Sequence, residues 1–340
     1  MSPIRALSAL SCRAQPQLLQ AGLRSFSSVP AVAAPGTTRV GWIGTGVMGV
    51  AMAKHVLAAG YELSVYTRTM AKAEPLIEQG AVRGDTPFAV AQRSDVVICM
   101  VGYPKDVRQV ILGGGGDDEF AVLPGMRPGG VVVDMTTSEP SLARTVAETA
   151  ASQGCYAIDA PVSGGDVGAK NGALSIMAGG DEAAIAAVRP ILDCLGTVRR
   201  LGGPGAGQSC KMANQVCIAT TMVGLVEGLL FAHKSGLDTA AYLEAVRGGA
   251  AGSKSMELYG DRLLSRDMRP GFFLKHFVKD LGIALREAEQ MKLGLPGLAL
   301  AQQLYVSLEA KGKGDLGTQA LILALEELNG MEATATGGPR

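Results

Sequence analysis

Residues 39–49 read Arg-Val-Gly-Trp-Ile-Gly-Thr-Gly-Val-Met-Gly, and they contain the most informative motif of the chain. Gly44, Gly46 and Gly49 have the spacing G-x-G-x-x-G between an apolar stretch that predicts a strand and an alanine-rich stretch that predicts a helix. There, the first glycine permits a tight turn, the second lets the backbone approach a phosphate, and the third lets the helix pack on the strand. Because a helix N-terminus favours negative charge, the stretch predicts a dinucleotide site. An ordinary glycine-rich turn is the alternative in a chain with 46 glycines.

The pattern around this turn predicts a doubly wound sheet. From residue 38 to residue 203, apolar segments typical of buried strands alternate with helical segments, several of which end at a glycine. One of these helices is expected to begin at Pro140, with Ser138 as its cap. From residue 204 to residue 330 only helical periodicity is found. We therefore expect an α/β protein with an N-terminal Rossmann-type doubly wound sheet in 38–203 and an all-α domain, for substrate and oligomerisation, in 204–330.

The two ends of the chain differ from the rest. No Asp or Glu precedes Glu62, and the first 28 residues contain three arginines among serine, alanine and leucine. This composition is typical of an organelle transit peptide, and it predicts mitochondrial localisation, with residues 1–37 as the transit or disordered segment. Chloroplast import and a plain disordered tail are the alternatives. Residues 331–340 are also predicted to be disordered.

Charge and metal-ligating residues exclude several classes of function. Thirty-one basic and 31 acidic residues cancel, so no nucleic-acid surface is expected. The six cysteines are scattered without a C-x-x-C pair and the three histidines have no ligand spacing, so we expect no structural metal. The apolar segment 212–232 contains Asn, Gln, Thr and Glu, which would be costly in lipid; it predicts a buried helix and no membrane span.

The end of the second predicted strand indicates the cofactor. An acidic residue about 20 positions after the glycines would hold the ribose 2′-hydroxyl of NAD. Here the chain reads Tyr66-Thr67-Arg68-Thr69, which has no acid and has one fixed cation. An arginine can pair with a 2′-phosphate, so NADP(H) is favoured while NAD(H) stays open. The alternative is a solvated surface arginine.

Two later segments carry groups suited to a substrate. Ser163, Gly164 and Gly165 offer a hydroxyl and consecutive backbone N–H groups, which can form a nest for a carboxylate; a glycine-rich hairpin loop is the alternative. Lys211 is near the start of a long predicted helix, with Asn214 and Gln215 three and four residues later on the same face. A buried lysine there could act as a general acid and base, although without further context a helix-surface lysine is the better explanation of this position.

Four motifs in this order resemble the β-hydroxyacid dehydrogenase family. They are Gly-Trp-Ile-Gly-Thr-Gly-Val-Met-Gly (41–49), Asp-Ala-Pro-Val-Ser-Gly-Gly (159–165), Gly-Ala-Gly-Gln-Ser-Cys-Lys-Met-Ala-Asn-Gln (205–215) and Lys-Asp-Leu (279–281). The resemblance covers residues 39 to 330 and is strongest to the plant mitochondrial 3-hydroxyisobutyrate dehydrogenase-like branch.

The resemblance implies roles for individual residues. Lys211 corresponds to the family's catalytic lysine, and the Ser163-Gly164-Gly165 loop to the segment that holds the substrate carboxylate; Asn214 and Gln215 are then also expected at the substrate. The expected cofactor contacts are Gly44, Gly46, Val47, Met48, Gly49, Thr67, Arg68, Thr69, Val101, Thr137 and Lys279. Many relatives have asparagine where this chain has Gln215, a departure that puts the substrate in doubt more than the activity.

The function that the resemblance implies is an NAD(P)-dependent oxidoreductase that interconverts a small 3-hydroxy acid and its semialdehyde. The first expected substrate is 3-hydroxyisobutyrate. The alternatives are a reductase of tartronate, glyoxylate or succinic semialdehyde, and a non-catalytic dinucleotide-binding protein. A 6-phosphogluconate-type enzyme is less favoured, because no histidine precedes the amide in the lysine helix. A homo-oligomer formed through the helical domain is also expected.

Overall fold

The structure is a computed structural model that describes residues 30–114 and 120–331. Most of the predicted transit segment (residues 1–29) and the predicted tail from residue 332 lie outside these described residues. The end of the transit segment packs on the folded chain. Ala33 is buried, and its N–H donates to Ala187 O at 2.8 Å. A removable segment would therefore have to end before Ala33.

A nine-stranded sheet forms the first part of the chain. Its strands are β1 Arg39–Ile43, β2 Glu62–Tyr66, β3 Val82–Arg83, β4 Val96–Cys99, β5 Val131–Asp134, β6 Tyr156–Asp159, β7 Val162–Ser163, β8 Leu174–Gly180 and β9 Gly196–Gly202. The order is β3-β2-β1-β4-β5-β6-β8-β7, with β9 paired to β8. The first six positions are parallel and have the strand order of a dinucleotide-binding sheet, so the crevice expected for a ligand lies where β1 meets β4. The Rossmann-type prediction is confirmed.

Helices cover both faces of this sheet. They are α1 Val47–Ala58, α2 Glu74–Ile77, α3 Pro87–Gln92, α4 Pro104–Val107, α5 Val122–Gly125, α6 Pro140–Ser152, α7 Gly165–Lys170 and α8 Glu182–Leu192. Two separate apolar clusters lie on either side of the sheet, one centred on Trp42 and Met52 and the other on Val97 and Leu123. Strands that are buried on both faces explain the continuous apolar runs in the sequence.

The remainder of the described chain is helical, as predicted. Its helices are α9 Ala206–Lys234, α10 Thr239–Arg247, α11 Lys254–Leu264, α12 Leu274–Gln290, α13 Pro296–Ala310 and α14 Leu321–Leu328. They surround one core, in which the rings of Phe277 and Tyr305 meet edge to face with centroids 5.0 Å apart. Helix α9 is long and apolar enough to cross a membrane by length and composition, and one of its faces packs in this core. The absence of a membrane span stays a prediction.

The structure corrects one cap and adds three strands. Helix α6 begins after Glu139, which makes no side-chain cap bond, and Ser138 does not cap it. The Ser138 backbone N–H instead donates to the side chain of Gln208 at 2.9 Å. Strands β3, β7 and β9 were not predicted, and β8 runs antiparallel to β6 and β7. The domain boundary at residue 204 falls between β9 and α9 and stays a prediction.

Candidate active site

The glycine turn between β1 and α1 has the geometry that its sequence predicts. Gly44 has φ +95°, and a Cβ there would collide with Met100 O. A Cβ at Gly49 would collide with Gly44 O, so this glycine lets α1 pack against the turn. The Trp42 ring N–H donates to Gly44 O at 3.0 Å and fixes the turn from below. At Gly46, by contrast, a Cβ would meet no atom within 4 Å.

A cleft of about 440 Å³ opens at this turn; we call it the cofactor cleft. It lies at the carboxyl ends of β1, β2, β4 and β5, and is closed on the other side by the segment 270–280 of the helical domain. All eleven residues predicted to contact the cofactor line it, namely Gly44, Gly46, Val47, Met48, Gly49, Thr67, Arg68, Thr69, Val101, Thr137 and Lys279. Their roles stay predictions, and the structure brings them to one place.

The cleft fits a dinucleotide at its glycine turn. The open side of Gly46 leaves room for a phosphate, and α1 begins at Val47 with no acidic residue in its first turn. The buried hydroxyl of Thr45 has no hydrogen-bond partner within the described residues, so it is free to bond a ligand. A free helix N-terminus and an unsatisfied hydroxyl are the groups that a pyrophosphate would satisfy.

At the end of the cleft where adenosine is expected, Arg68 has a carboxylate partner that the sequence around Arg68 did not predict. Arg68 Nη1 lies 3.2 Å from Asp106 Oδ1; the arginine side chain is 74% exposed and the aspartate side chain 7%. Asp106 also accepts from Tyr103 N–H at 3.1 Å. A guanidinium has five N–H donors, so one bond to Asp106 leaves others for a phosphate. Lys72 lines the same end of the cleft and adds a second cation.

Lys211 is buried in the first turns of α9. Its side chain is 6% exposed, and burial lowers its pKa from the ordinary lysine value. Asp280 opposes that shift and Lys279 adds to it. Within the described part of the chain, no side chain forms a hydrogen bond or an ion pair with the Lys211 amine. The structure therefore contradicts the alternative of a helix-surface lysine, and it leaves the amine free to exchange a proton.

Asp280 connects α9 to the cofactor cleft. It is fully buried on α12 and lines the cleft. Its Oδ2 accepts from Gln215 Nε2 at 2.6 Å, and Gln215 Oε1 accepts from Asn214 Nδ2 at 2.9 Å. Its Oδ1 lies 3.1 Å from Lys279 Nζ, an ion pair without hydrogen-bond geometry.

Lys279 joins the two halves of the site. Its Nζ donates to Thr137 O at 2.7 Å and to Gly102 O at 3.3 Å, both in loops that follow strands of the sheet. The lysine side chain is thus held inward by backbone carbonyls and is only 11% exposed.

The residues predicted to bind substrate lie beside the cofactor cleft. Neither Lys211 nor Ser163, Gly164, Gly165, Asn214 and Gln215 is part of its lining. Two of them approach residues of the lining. Gln215 bonds to Asp280, and a Cβ at Gly165 would lie 3.6 Å from Gly271 O, an atom of a residue in the lining. The glycine loop has left-handed backbone at Gly164 and Gly165, where α7 starts.

The sequence analysis missed an aromatic group at the cofactor cleft, whose lining includes Phe272 and His276. The ring centroids of Tyr103 and His276 lie 5.6 Å apart, and those of Phe272 and His276 lie 6.4 Å apart. Burial, with a contribution from Lys279, lowers the pKa of His276. His276 stands one turn before Lys279 on α12, and this spacing is the signal that could have found it.

Two buried carboxylates lie at the carboxyl ends of β5 and β6. Asp134 and Asp159 are partners across the parallel pair. Burial raises the pKa of Asp134 to about 7 and that of Asp159 to about 6. Within the parts of the chain that are described, no group of three or more His, Cys, Asp or Glu residues is arranged to hold a metal ion. The absence of a metal stays a prediction.

Comparisons with known proteins agree with this arrangement. A family model described as the NAD binding domain of 6-phosphogluconate dehydrogenase matches residues 39–217. A second, described as NAD-binding of NADP-dependent 3-hydroxyisobutyrate dehydrogenase, matches residues 205–325. The solved structure of Mycobacterium tuberculosis 3-hydroxyisobutyrate dehydrogenase with L-serine superposes with a TM-score of 0.77 at 26% identity, covering 85% of this chain and 99% of that one.

Two relatives are similar over most of their length. The Arabidopsis thaliana protein named probable 3-hydroxyisobutyrate dehydrogenase-like 1, mitochondrial, is 58% identical over 302 residues, 89% of each chain. The 2-hydroxy-3-oxopropionate reductase of Escherichia coli K12 is 38% identical over 289 residues, 85% of this chain and 97% of that protein.

Proposed function

The chain belongs to the β-hydroxyacid dehydrogenase family, and we propose that it interconverts a small 3-hydroxy acid and its semialdehyde, with Lys211 as general acid and base. It is an NAD(P)-dependent oxidoreductase by family and fold. The observation that carries the proposed mechanism is the buried, unpaired Lys211 amine behind a cleft that has the features of a dinucleotide site.

The sheet domain would hold the cofactor. The glycine turn and the start of α1 would receive the pyrophosphate, and Arg68 with Lys72 would receive the adenosine end. Val101 and Thr137 would face the nicotinamide, which supplies or accepts the hydride when bound. Lys279, bonded to the backbone of Gly102 and Thr137, would fix these loops against the helical domain.

Lys211 would move the proton. In oxidation its neutral amine takes the proton of the substrate hydroxyl, and in reduction its ammonium returns a proton to the carbonyl oxygen. Burial favours the neutral amine and the Asp280 charge favours the ammonium, so the surroundings of Lys211 support both protonation states that the reaction needs. The Ser163-Gly164-Gly165 loop would hold the substrate carboxylate, with Asn214 and Gln215 beside it.

The substrate order that we propose begins with 3-hydroxyisobutyrate. A reductase of tartronate semialdehyde is the second candidate. It is favoured by the Asn214-Gln215 order, which resembles that branch of the family, and by the similarity to a 2-hydroxy-3-oxopropionate reductase. NADP(H) is the proposed cofactor. We also propose that the chain acts in mitochondria, because the names of three Arabidopsis relatives describe them as mitochondrial. We further propose that it forms a homo-oligomer through the helical domain.

A steady-state panel tests the proposed function. It would contain 3-hydroxyisobutyrate and the tartronate, glyoxylate and succinic semialdehydes, each with NADP(H) and NAD(H).

Lys211→Met should lower turnover by about 10²–10⁴-fold with little change in cofactor affinity, because only the titrating amine is removed. Lys279→Met should also raise KM. Lys234→Met, at the exposed end of the same helix, should leave both constants unchanged. Normal turnover of Lys211→Met would refute the mechanism, and binding of NADPH without any turnover would favour the non-catalytic alternative.

A further inference from the structure

Gln208 is a buried amide one turn before Lys211 on α9. Its side chain is fully buried, although glutamine is mostly exposed in proteins. It faces the loop that follows β5, and it does not line the cofactor cleft. A buried amide needs partners for both its N–H₂ and its carbonyl oxygen, so its bonds indicate what it holds.

Both ends of this amide bond the backbone on either side of Thr137. Gln208 Nε2 donates to Thr136 O at 2.7 Å, and Gln208 Oε1 accepts from Ser138 N–H at 2.9 Å. The Thr137 carbonyl between them accepts from Lys279 Nζ at 2.7 Å. The loop is therefore bonded from α9 on both flanks and from α12 at its centre.

The start of α9 is itself fixed on the sheet. Asp159 Oδ1 accepts from Gly205 N–H at 2.7 Å, and Asp159 Oδ2 accepts from Gln208 N–H at 2.8 Å. A Cβ at Gly207 would collide with Met177 O in β8 and with Asp159 O at the end of β6, so the first turn of α9 lies directly on these two strands. Gln208 therefore connects the start of α9, which is fixed on the sheet, to the Thr136–Ser138 loop, which we call the cofactor loop.

We propose that Gln208 is a positioning residue that bonds the Thr136–Ser138 backbone to the first turn of α9 and so fixes the distance between Lys211 and the cofactor loop. This inference rests on the proposed role of Lys211. A displacement of about 1 Å between reacting groups can cost 10²-fold in rate, so a loosened loop should lower turnover more than binding.

Two substitutions separate positioning from packing. Gln208→Met keeps the length and removes both bonds; we expect kcat to fall by about 10²-fold, while KM and the NADPH dissociation constant change by less than about threefold. Gln208→Glu keeps the acceptor, and a neutral carboxyl can also donate, as the amide does. Asp159 and Asp134 on the neighbouring strands favour its neutral form and Lys279 and Lys211 oppose it, while burial raises its pKa.

The pH profile of Gln208→Glu is the decisive readout. Its kcat relative to wild type should rise at least about tenfold between about pH 9 and about pH 6, as the introduced carboxyl regains its proton. Ser94→Ala removes a buried hydroxyl that donates to Val90 O at the opposite ends of the strands, and its ratio to wild type should stay flat. A flat ratio for Gln208→Glu in a folded protein would overturn the proposal.

Hydrogen exchange without cofactor gives a second readout that does not depend on activity. In Gln208→Met the Ser138 amide loses its acceptor, so a peptide that covers 136–140 should exchange faster than in wild type and in Ser94→Ala. Unchanged exchange there would overturn the bonding described. If wild type turns over no panel substrate, the proposed function fails, and the exchange result still tests the bonding. If Gln208→Met does not fold, the Gln208→Glu profile decides.

Discussion

The surroundings of Lys211 shift the pKa of its amine in opposite directions. Burial and Lys279 lower its pKa, and Asp280 raises it. A lysine in water would be almost fully protonated at neutral pH and would be a poor base. Burial therefore makes the neutral amine more accessible than it is in water, while the Asp280 charge limits the lowering of the pKa. Lys211 is buried through its position on α9, and the charges of Lys279 and Asp280 are on α12. The pKa of Lys211 therefore depends on the packing of two helices that are distant in sequence.

Arg68 provides the prediction on cofactor choice. Arg68→Gln removes the cation without placing a second acid beside Asp106. It should weaken NADPH by about 1.5–3 kcal/mol, the usual worth of a charge-assisted hydrogen bond, and weaken NADH much less. Fluorescence titration with both cofactors measures this, and Arg93→Gln, an exposed arginine outside the cleft lining, is the control. Equal losses for NADPH and NADH would show that Arg68 does not read the 2′-phosphate.

Single residues differ in how far the sequence could predict them. Lys211 was singled out by the family resemblance. The positions of Gly44, Gly46 and Gly49 were predictable from the fixed spacing of their motif. Asp106 and Gln208 were not, because each acts through a partner 38 or 70 residues away. A local pattern carries no information on such a partner; only the strand order brings the two together.

In the turn between β1 and α1, we expect Gly46 to matter for cofactor binding and Gly49 to matter for the stability of the fold. Gly46→Ala puts a methyl group into open space at an extended backbone position, so the folded protein should keep its Tm while the NADPH dissociation constant rises by roughly tenfold, or about 1.4 kcal/mol. Gly49→Ala forces a methyl group against Gly44 O and should destabilise the fold by about 1–3 kcal/mol. Thermal melts without cofactor and NADPH titrations distinguish the two. A large loss of Tm in Gly46→Ala would contradict this division.

The elements that the sequence predicted are those with a strong local pattern. Strands β4 and β5 are continuous apolar runs, and α11 is preceded by the cap residue Ser253, whose side chain accepts from Met256 N–H. The strands that were missed have weak patterns. Both residues of β3 are exposed, and β9 reads Gly-Thr-Val-Arg-Arg-Leu-Gly with little apolar alternation. Pairing with β2 and β8 makes them strands, and pairing is a property of the whole sheet.

Ser138 shows how a tertiary contact overrides a local signal. Serine two residues before a helical proline is a reasonable cap by its sequence. In the structure its backbone N–H is committed to Gln208, and Glu139 stands at the cap position instead. The loop is thus shaped by α9, which begins about 70 residues later, and not by the helix that it precedes.

The N-terminal segment of the chain predicts where the protein is targeted. A fluorescent fusion of residues 1–40 should enter mitochondria, because this segment has basic residues, serines and no acid. The same fusion with Arg5, Arg13 and Arg24 changed to Glu is the control and should stay in the cytosol. Deletion of residues 1–28 should leave an active enzyme, since Ala33 begins the packing against α8. A wild-type fusion found in the cytosol or in chloroplasts would reject the mitochondrial assignment.

The site exists only because the two parts of the chain meet. The sheet supplies the glycine turn and the loops after β4 and β5, while α9 and α12 supply Lys211, Asp280 and Lys279. The Lys279 bonds to Thr137 O and Gly102 O cross this junction, and so do the bonds of Gln208. Each part could be predicted from sequence, whereas their relative position depended on contacts that only the folded chain shows.

The buried acids at this junction should make the stability of the whole molecule depend on pH. The pKa of Asp134 is raised from 3.8 to about 7 by burial, so between these values the folded chain holds a proton that the unfolded chain releases. Stability from this group is full at low pH and is lost as pH rises, by up to about 1.4 kcal/mol per pH unit. Burial also raises the pKa of Asp159, to about 6, and this group changes stability in the same direction.

Asp134→Asn keeps the shape of the side chain without its charge, so the Tm of this variant should fall less than that of wild type between about pH 5 and pH 8. Asp85→Asn, with an 85% exposed side chain, should follow wild type, and parallel curves for all three proteins would mean that Asp134 is not protonated in the folded state.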